Sequence, residues 1–240
     1  MRWMLGVAAC LMAGTAAADE DRFVASNTYA TFYHELAHAL VDILELPIFG
    51  QEEDAADVLS ALMISEMWEE DRAVEIAYDA AFGFLAEADD YGAVDDDALS
   101  GVHGPDVQRY YNLVCIFYGA NPEEREDIAE ELGLPEDRAE TCEDEFIQAS
   151  QSWGTVLDRL AESDDPGALI LIGDDPLQRE ILQDEIDWMN EQMSFPQNIP
   201  VRLEDCGEAN AFYDMGTQEI TMCSEYPVDL RRLYRIAEDL

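Results

Sequence analysis

The sequence predicts an α+β protein, mainly α-helical, that closes with a small C-terminal antiparallel sheet. Three observations carry this. Apolar residues recur at helical spacing in most segments up to about residue 193. Pro105, Pro122 and Pro135 sit where a helix begins rather than inside one. After Pro196 the pattern changes to short extended runs separated by turn residues.

In chain order, Asn27 or Thr28 is read as the cap of a helix that runs to about Leu46, where Pro47 and Gly50 stop it. A second helix spans Gln51 to Trp68, with Ala55, Leu59, Leu62 and Met63 on one face. Residues 70–88 are helical, and an acidic, glycine-containing loop follows through Gly104. Pro105 opens a helix that reaches Tyr118, ahead of Gly119. Pro122 and Pro135 open two more, the latter extending to Leu160. Residues 162–167 form a surface linker, and 176–193 return to helix. Val201–Leu203, Ala211–Tyr213 and Ile220–Cys223 read as strands, with Asp214-Met215-Gly216 as the turn before the last. A final helix covers about Asp229 to Glu238.

Residues 1–18 have the form of an export signal: Arg2, a mostly apolar run from Trp3 to Met12, and the small residues Ala16-Ala17-Ala18 before Asp19. Val7-Ala8-Ala9 before Cys10 leaves a lipoprotein alternative open. Residues 19–240 are then one exported domain, periplasmic or secreted. No later stretch is apolar enough to span a bilayer. The chain holds 55 acidic residues against 12 basic ones, all arginine, for a net charge of −43. Such a surface repels nucleic acid and anionic lipid, which excludes both as partners. The 48% hydrophobic content argues for a packed core and against disorder. Past the signal there are four cysteines, an even count that in an oxidising compartment reads as two disulfides. Of the three pairings, Cys115–Cys142, flanking one helical segment, and Cys206–Cys223, flanking one hairpin, are favoured over a zinc–cysteine site, since no pair has short metal-type spacing.

The chemistry concentrates at His34-Glu35-Leu36-Ala37-His38. On a helix, His34 and His38 project from one face one turn apart, so two imidazoles can grip one Zn²⁺. Glu35 lies beside them without ligating, placed to act as general base. The surrounding Phe32, Tyr33, Leu36, Ala37, Ala39 and Leu40 are uncharged, as a buried active-site helix requires. A catalytic zinc needs a third protein ligand. The turn at Pro47–Gly50 sends the next helix back toward the histidines, and its first turn carries Glu52, Glu53 and Asp57. Glu53 is the expected ligand, with Glu52 as the alternative, and Asp57 is expected to take a hydrogen bond from a ligand imidazole.

The segment from His34 to Asp57 resembles the zincin metallopeptidases of the glutamate-ligand type, whose pattern is HExxH followed by Glu-x-x-x-Asp on a later helix; Glu53 and Asp57 match that second element. More widely, the chain is similar to a bacterial family of exported, uncharacterised metallopeptidase-like proteins. That similarity runs through Gln108-Arg109-Tyr110-Tyr111-Asn112 with Cys115, Leu134-Pro135-Glu136-Asp137-Arg138 with Cys142, Trp153, and Cys206 through Tyr213 with Cys223. It implies one zinc per chain and peptidase-like chemistry on a peptide or protein. In common zincins the substrate-binding edge strand precedes the HExxH helix, whereas the strands here come last.

Three further residues are candidates. His103, the one remaining histidine, sits in the loop before Pro105 and could stabilise an oxyanion, or be an ordinary surface histidine. Arg109 could orient the site, or merely pair with Asp106 on its own helix. Tyr213 could line the cleft, or be a core aromatic. The leading reading is a zinc peptidase with Glu35 as base. A zinc amidase acting on cell-wall material and a non-catalytic binding protein are the alternatives.

Overall fold

The computed structural model describes residues 7–92 and 99–240. The first six residues of the expected signal and residues 93–98 of the acidic loop lie outside the described residues.

The helix of the HExxH motif, α1, spans Val7–Ile43. It does not start at Asn27 or Thr28 as expected. Thr28 Oγ1 donates to the Val24 carbonyl at 2.7 Å, and Asn27 Nδ2 donates to the Phe23 carbonyl at 2.9 Å and the Asp79 carbonyl at 3.1 Å. Both side chains therefore bond backward to carbonyls from within the helix, a use open to residues that otherwise favour caps. Phe23, Val24, Phe32, Tyr33, Leu36, Ala37, Ala39 and Leu40 are all buried, so the part of α1 from Phe23 to Leu40 is covered on most sides. Its last turn closes with Glu45 in the left-handed region and the Leu46 N–H bonded to the Val41 carbonyl at 2.9 Å. This is the six-to-one closure that lets a chain reverse sharply.

That reversal delivers α2 (Glu52–Met67) back along α1, and α3 (Glu70–Tyr91) packs beside both. A buried clamp joins α1 to α3: Asp79 accepts from Arg22 Nε at 3.0 Å, Arg22 Nη2 at 2.9 Å and Ser26 Oγ at 2.8 Å. Next come α4 (Asp106–Ala120), α5 (Pro122–Glu131) and α6 (Glu136–Ala149), matching the starts read from the prolines. Gly119 falls inside α4 rather than ending it. A Cβ there would sit 2.1 Å from the Cys142 carbonyl oxygen, so its hydrogen is what lets α4 and α6 touch. The Cys115–Cys142 disulfide locks the same contact. A π-helical turn at Ser150–Gly154 leads into α7 (Thr155–Ala161) and turns Trp153 inward, where its Nε1 donates to the Ala55 carbonyl of α2 at 2.9 Å.

The expected α+β class holds, but the sheet is mixed rather than antiparallel and has four strands. Strand β1 (Leu169–Gly173) is followed by helix α8 (Pro176–Gln192), β2 (Ile199–Glu204), β3 (Ala211–Asp214), β4 (Glu219–Cys223) and helix α9 (Tyr226–Ala237). The order across the sheet is β1-β2-β4-β3, with β1, β2 and β4 parallel and β3 antiparallel to β4. The antiparallel reading fails because β4 inserts between β2 and β3 and runs parallel to β2. Burial explains the insertion: four of the five β4 residues are buried, which suits a central strand, while β3 is half exposed at the edge. The Cys206–Cys223 disulfide ties the exit of β2 to the end of β4. Among the described residues no helix is long and apolar enough to cross a membrane.

Gly119→Ala should destabilise the oxidised protein by about 1–3 kcal/mol, since backbone rather than a side-chain tip blocks the added methyl. Chemical denaturation checks this; an unchanged midpoint would mean that α4 and α6 do not approach so closely.

Candidate metal centre

Helices α1 and α2 bring three donor atoms to one point. His34 Nε2 lies 3.2 Å from His38 Nε2 and 3.2 Å from Glu53 Oε2, and His38 Nε2 lies 3.3 Å from the same oxygen. Donors around a tetrahedral ion with bonds near 2.0 Å stand about 3.3 Å apart, so this triangle has the size of one face of a zinc site. The tautomers follow from the opposite edges of the rings. His34 Nδ1–H donates to Asp57 Oδ1 at 2.8 Å, and His38 Nδ1–H donates to Glu52 Oε1 at 2.8 Å. With both neutral rings protonated on Nδ1, both Nε2 lone pairs face each other and a carboxylate oxygen. Three mutually repelling lone pairs call for a cation between them, a proton or a metal ion. The donor set fits Zn²⁺.

The electrostatics agree. Burial opposes charge on His34, but hydrogen bonds to Asp57 and Glu53 outweigh it and raise the imidazole to about 9. Glu53 is held far below the usual carboxylate range by His103, then by His34 and His38. Without metal the cage keeps protons on its histidines. A dication would displace them.

Glu52 and Glu53, adjacent in sequence, thus face different atoms. Glu53 meets the Nε2 pair, and Glu52 meets only the back of His38. Asp57, 52 residues from Arg109 in sequence, is doubly engaged by it: Nε donates to Oδ2 at 2.8 Å and Nη2 to Oδ1 at 2.9 Å. Burial would raise Asp57, yet Arg109 and His34 bring it well below its ordinary value. Arg109 lies over the Phe84 ring, 4.4 Å from its centroid, and only 3.6 Å from Asp106, so both readings of Arg109 describe contacts that exist.

His103 arrives from the loop before α4. Its Nε2 is 2.7 Å from Glu53 Oε2, its ring stacks on that of His34, and its side chain is 48% exposed. Donor atoms of His34, Glu53 and His103 all lie within 4.8 Å of one another, so His103 is within reach of the same ion. Glu35 is buried next to the donors. Burial raises its carboxyl, while His34, His38 and the backbone N–H of Tyr213 pull it down. Tyr213 lines the cleft, but its phenol is committed elsewhere, donating to Asp42 Oδ2 at 2.7 Å. What it offers the site is main chain, from the edge strand β3.

The donors open onto a cleft of about 770 Å³. One wall is α1 from Asn27 to His38, another is α3 from Ala80 to Tyr91, and β3 and α9 complete it. Sequence reasoning missed Glu87 and Tyr226 in this lining. The signal for Glu87 was its place on one helical stripe with Ala80, Gly83 and Phe84; Tyr226 had none, because α9 reaches the cleft only by folding back over α3.

A model of the family described as "Putative metallopeptidase" matches residues 9–157 and 175–239. No curated protein and no solved structure matches the chain.

Purified protein should take up one zinc per chain with release of protons. His34→Ala and Glu53→Ala should lose the ion, Glu52→Ala should only weaken it, and Asp57→Asn should weaken it about 10- to 100-fold. Competition with a chromophoric chelator measures all four; Glu53→Ala binding like wild type would remove Glu53 from the donor set.

Proposed function

The chain belongs to that metallopeptidase family, and on this premise we propose that it is an exported zinc peptidase that uses Glu35 as general base. The observation that carries the reading is the triangle of His34, His38 and Glu53 with Glu35 buried beside it at the mouth of a large cleft. Zinc held there supplies a Lewis acid that activates water and polarises a carbonyl.

The residues around it divide the remaining work. Glu35 takes the proton from the attacking water as the C–O bond forms and then delivers it to the amine as the peptide C–N bond breaks. Its enclosed position raises its basicity, and the Tyr213 N–H keeps the carboxylate aimed. Asp57 and Glu52 hold the two imidazoles in their tautomers, and Arg109 holds Asp57. His103, half exposed beside the donor atoms, donates to the negative charge that develops on the substrate oxygen. Strand β3 pairs with β4 on one side only, and its main chain lines the cleft, so an extended substrate can add to its free edge. The edge strand comes far after the HExxH helix in the chain yet lies against it.

A second reading has His103 as a permanent fourth ligand, which would close the ion to water and leave a binding protein. The reach of His103 Nε2 to Glu53 favours it. The signal-like segment 1–18, together with two disulfides, supports action outside the cytoplasm.

Glu35→Gln should keep the metal and lose hydrolysis of a peptide library by at least about a hundredfold; equal activity would remove Glu35 from the mechanism. His103→Ala separates the two readings. If His103 is a donor to substrate, metal stoichiometry and the cobalt absorption spectrum stay unchanged while turnover falls. If it is a ligand, the cobalt spectrum changes. Cleavage of cell-wall fragments but no peptide would move the substrate assignment to the amidase class.

A further inference from the structure

We infer that the cleft contains a pocket for a positively charged substrate side chain, with Glu87 as its anionic floor, next to the scissile bond. This rests on the peptidase reading of the metal centre.

The starting observation is that Glu87 has no partner. It is half-buried, it lines the cleft, and among the described residues its carboxylate accepts no hydrogen bond and makes no ion pair. A half-buried carboxylate without a counter-ion leaves an unbalanced negative charge facing the cleft, open to a cationic group. Burial pushes its carboxyl up to about 7, with only Arg109 pulling the other way. Arg109 cannot serve as its counter-ion, because that guanidinium is bound to Asp57 through two hydrogen bonds.

The surrounding field is also negative. Asp106, Asp229 and Asp57 all act on Glu87. Asp57 and Asp106 are both paired with Arg109, and Asp229 with Arg232 at 2.7 Å, which leaves Glu87 as the carboxylate of this group without an ion pair among the described residues. A metal ion does not fit here: among the described residues, Glu87 belongs to no group of three donor atoms within 4.8 Å of one another. The carboxylates are too spread to chelate, but they suit an ammonium or guanidinium. The walls suit its stem, since Phe84, Leu230 and Leu233 line the same space and long basic side chains lay their methylenes on apolar surface.

Position follows from Tyr226. Its hydroxyl is hydrogen-bonded to Thr31 at 2.7 Å and feels the charges of both Glu87 and Glu35. Thr31 is one turn before Glu35 on α1, so the pocket begins roughly 5–6 Å along the helix from the base. A lysine or arginine flanking the bond under attack spans that distance. The Gly83–Asn27 contact closes the far end: a Cβ on Gly83 would sit 2.1 Å from Asn27 Oδ1. The net charge of −43 adds long-range attraction for cationic substrates.

The test compares zinc-loaded wild type and Glu87→Gln on matched peptides that differ only in arginine or its neutral isostere citrulline. Wild type should cleave beside arginine about tenfold better in kcat/KM, and Glu87→Gln should lose that preference while cleaving the citrulline peptide as wild type does. Equal cleavage of both peptides by wild type, or an equal loss on both in the variant, overturns the pocket. Agmatine binding to the zinc-loaded protein, followed by calorimetry, stands apart from turnover. Agmatine bound by wild type and not by Glu87→Gln supports the pocket even if no peptide is cut, in which case the peptidase reading alone fails. No agmatine binding to a folded, zinc-loaded wild type overturns the pocket. Matching thermal unfolding and zinc content in the variant shows that its loss is local.

Discussion

The carboxylate of Asp57 is the interaction on which the rest of the centre depends. It belongs to α2, it takes the Nδ1 proton of His34 from α1, and it takes two guanidinium protons of Arg109 from α4. Three helices are thus referred to one pair of oxygens. The constraint behind this is the burial of α1. The backs of both rings face protein rather than the cleft, so their Nδ1 atoms need protein partners. Asp57 and Glu52 are those partners, and by filling the Nδ1 positions they leave both Nε2 atoms free on the same side.

The placement of Asp57 depends in turn on the way α1 ends. The left-handed Glu45 and the six-to-one bond at Leu46 reverse the chain within a few residues, so the first turn of α2 comes back level with His34 and His38. A longer connection would let α2 slide along α1. Slippage by a single residue would turn Glu53 away from the histidines, because neighbours in a helix differ by about 100° in direction. The close contacts farther out, Trp153 on the Ala55 carbonyl and the Cys115–Cys142 link beside Gly119, hold α2 and α4 at the spacing that Arg109 and Asp57 require.

The acidic composition acquires a local meaning in the cleft. Most of the 55 acidic residues lie on solvated faces and are explained by solubility. A few are directed inward and carry distinct tasks set by surroundings rather than by residue type. Glu53 is surrounded by imidazoles and held fully ionised, Glu35 is enclosed and made more basic, and Glu87 is left without a counter-ion. Carboxylates of identical chemistry thus separate into a candidate metal donor, a candidate base and a candidate recognition group.

The sequence by itself determined the elements whose signals are local. HExxH spacing places two imidazoles on one helical face because 3.6 residues make a turn. Prolines mark the starts of α4, α5 and α6, and short extended runs set off by turn residues mark β2, β3 and β4. Both cysteine pairs were legible because each flanks a single unit. What only the tertiary structure decided depends on contacts between distant segments. The insertion of β4 between β2 and β3 is decided by which strand can be buried on both faces, not by the order of strands. Which of Glu52 and Glu53 faces the Nε2 atoms is decided by helix rotation against α1, which no local pattern encodes. Tyr213 lost its free hydroxyl to Asp42 across 171 residues of chain. Glu87 and Tyr226 entered the cleft only because α3 and α9 close over α1. Spacing along a chain fixes direction within one helix; which directions meet is settled by how the buried faces of several helices fit together.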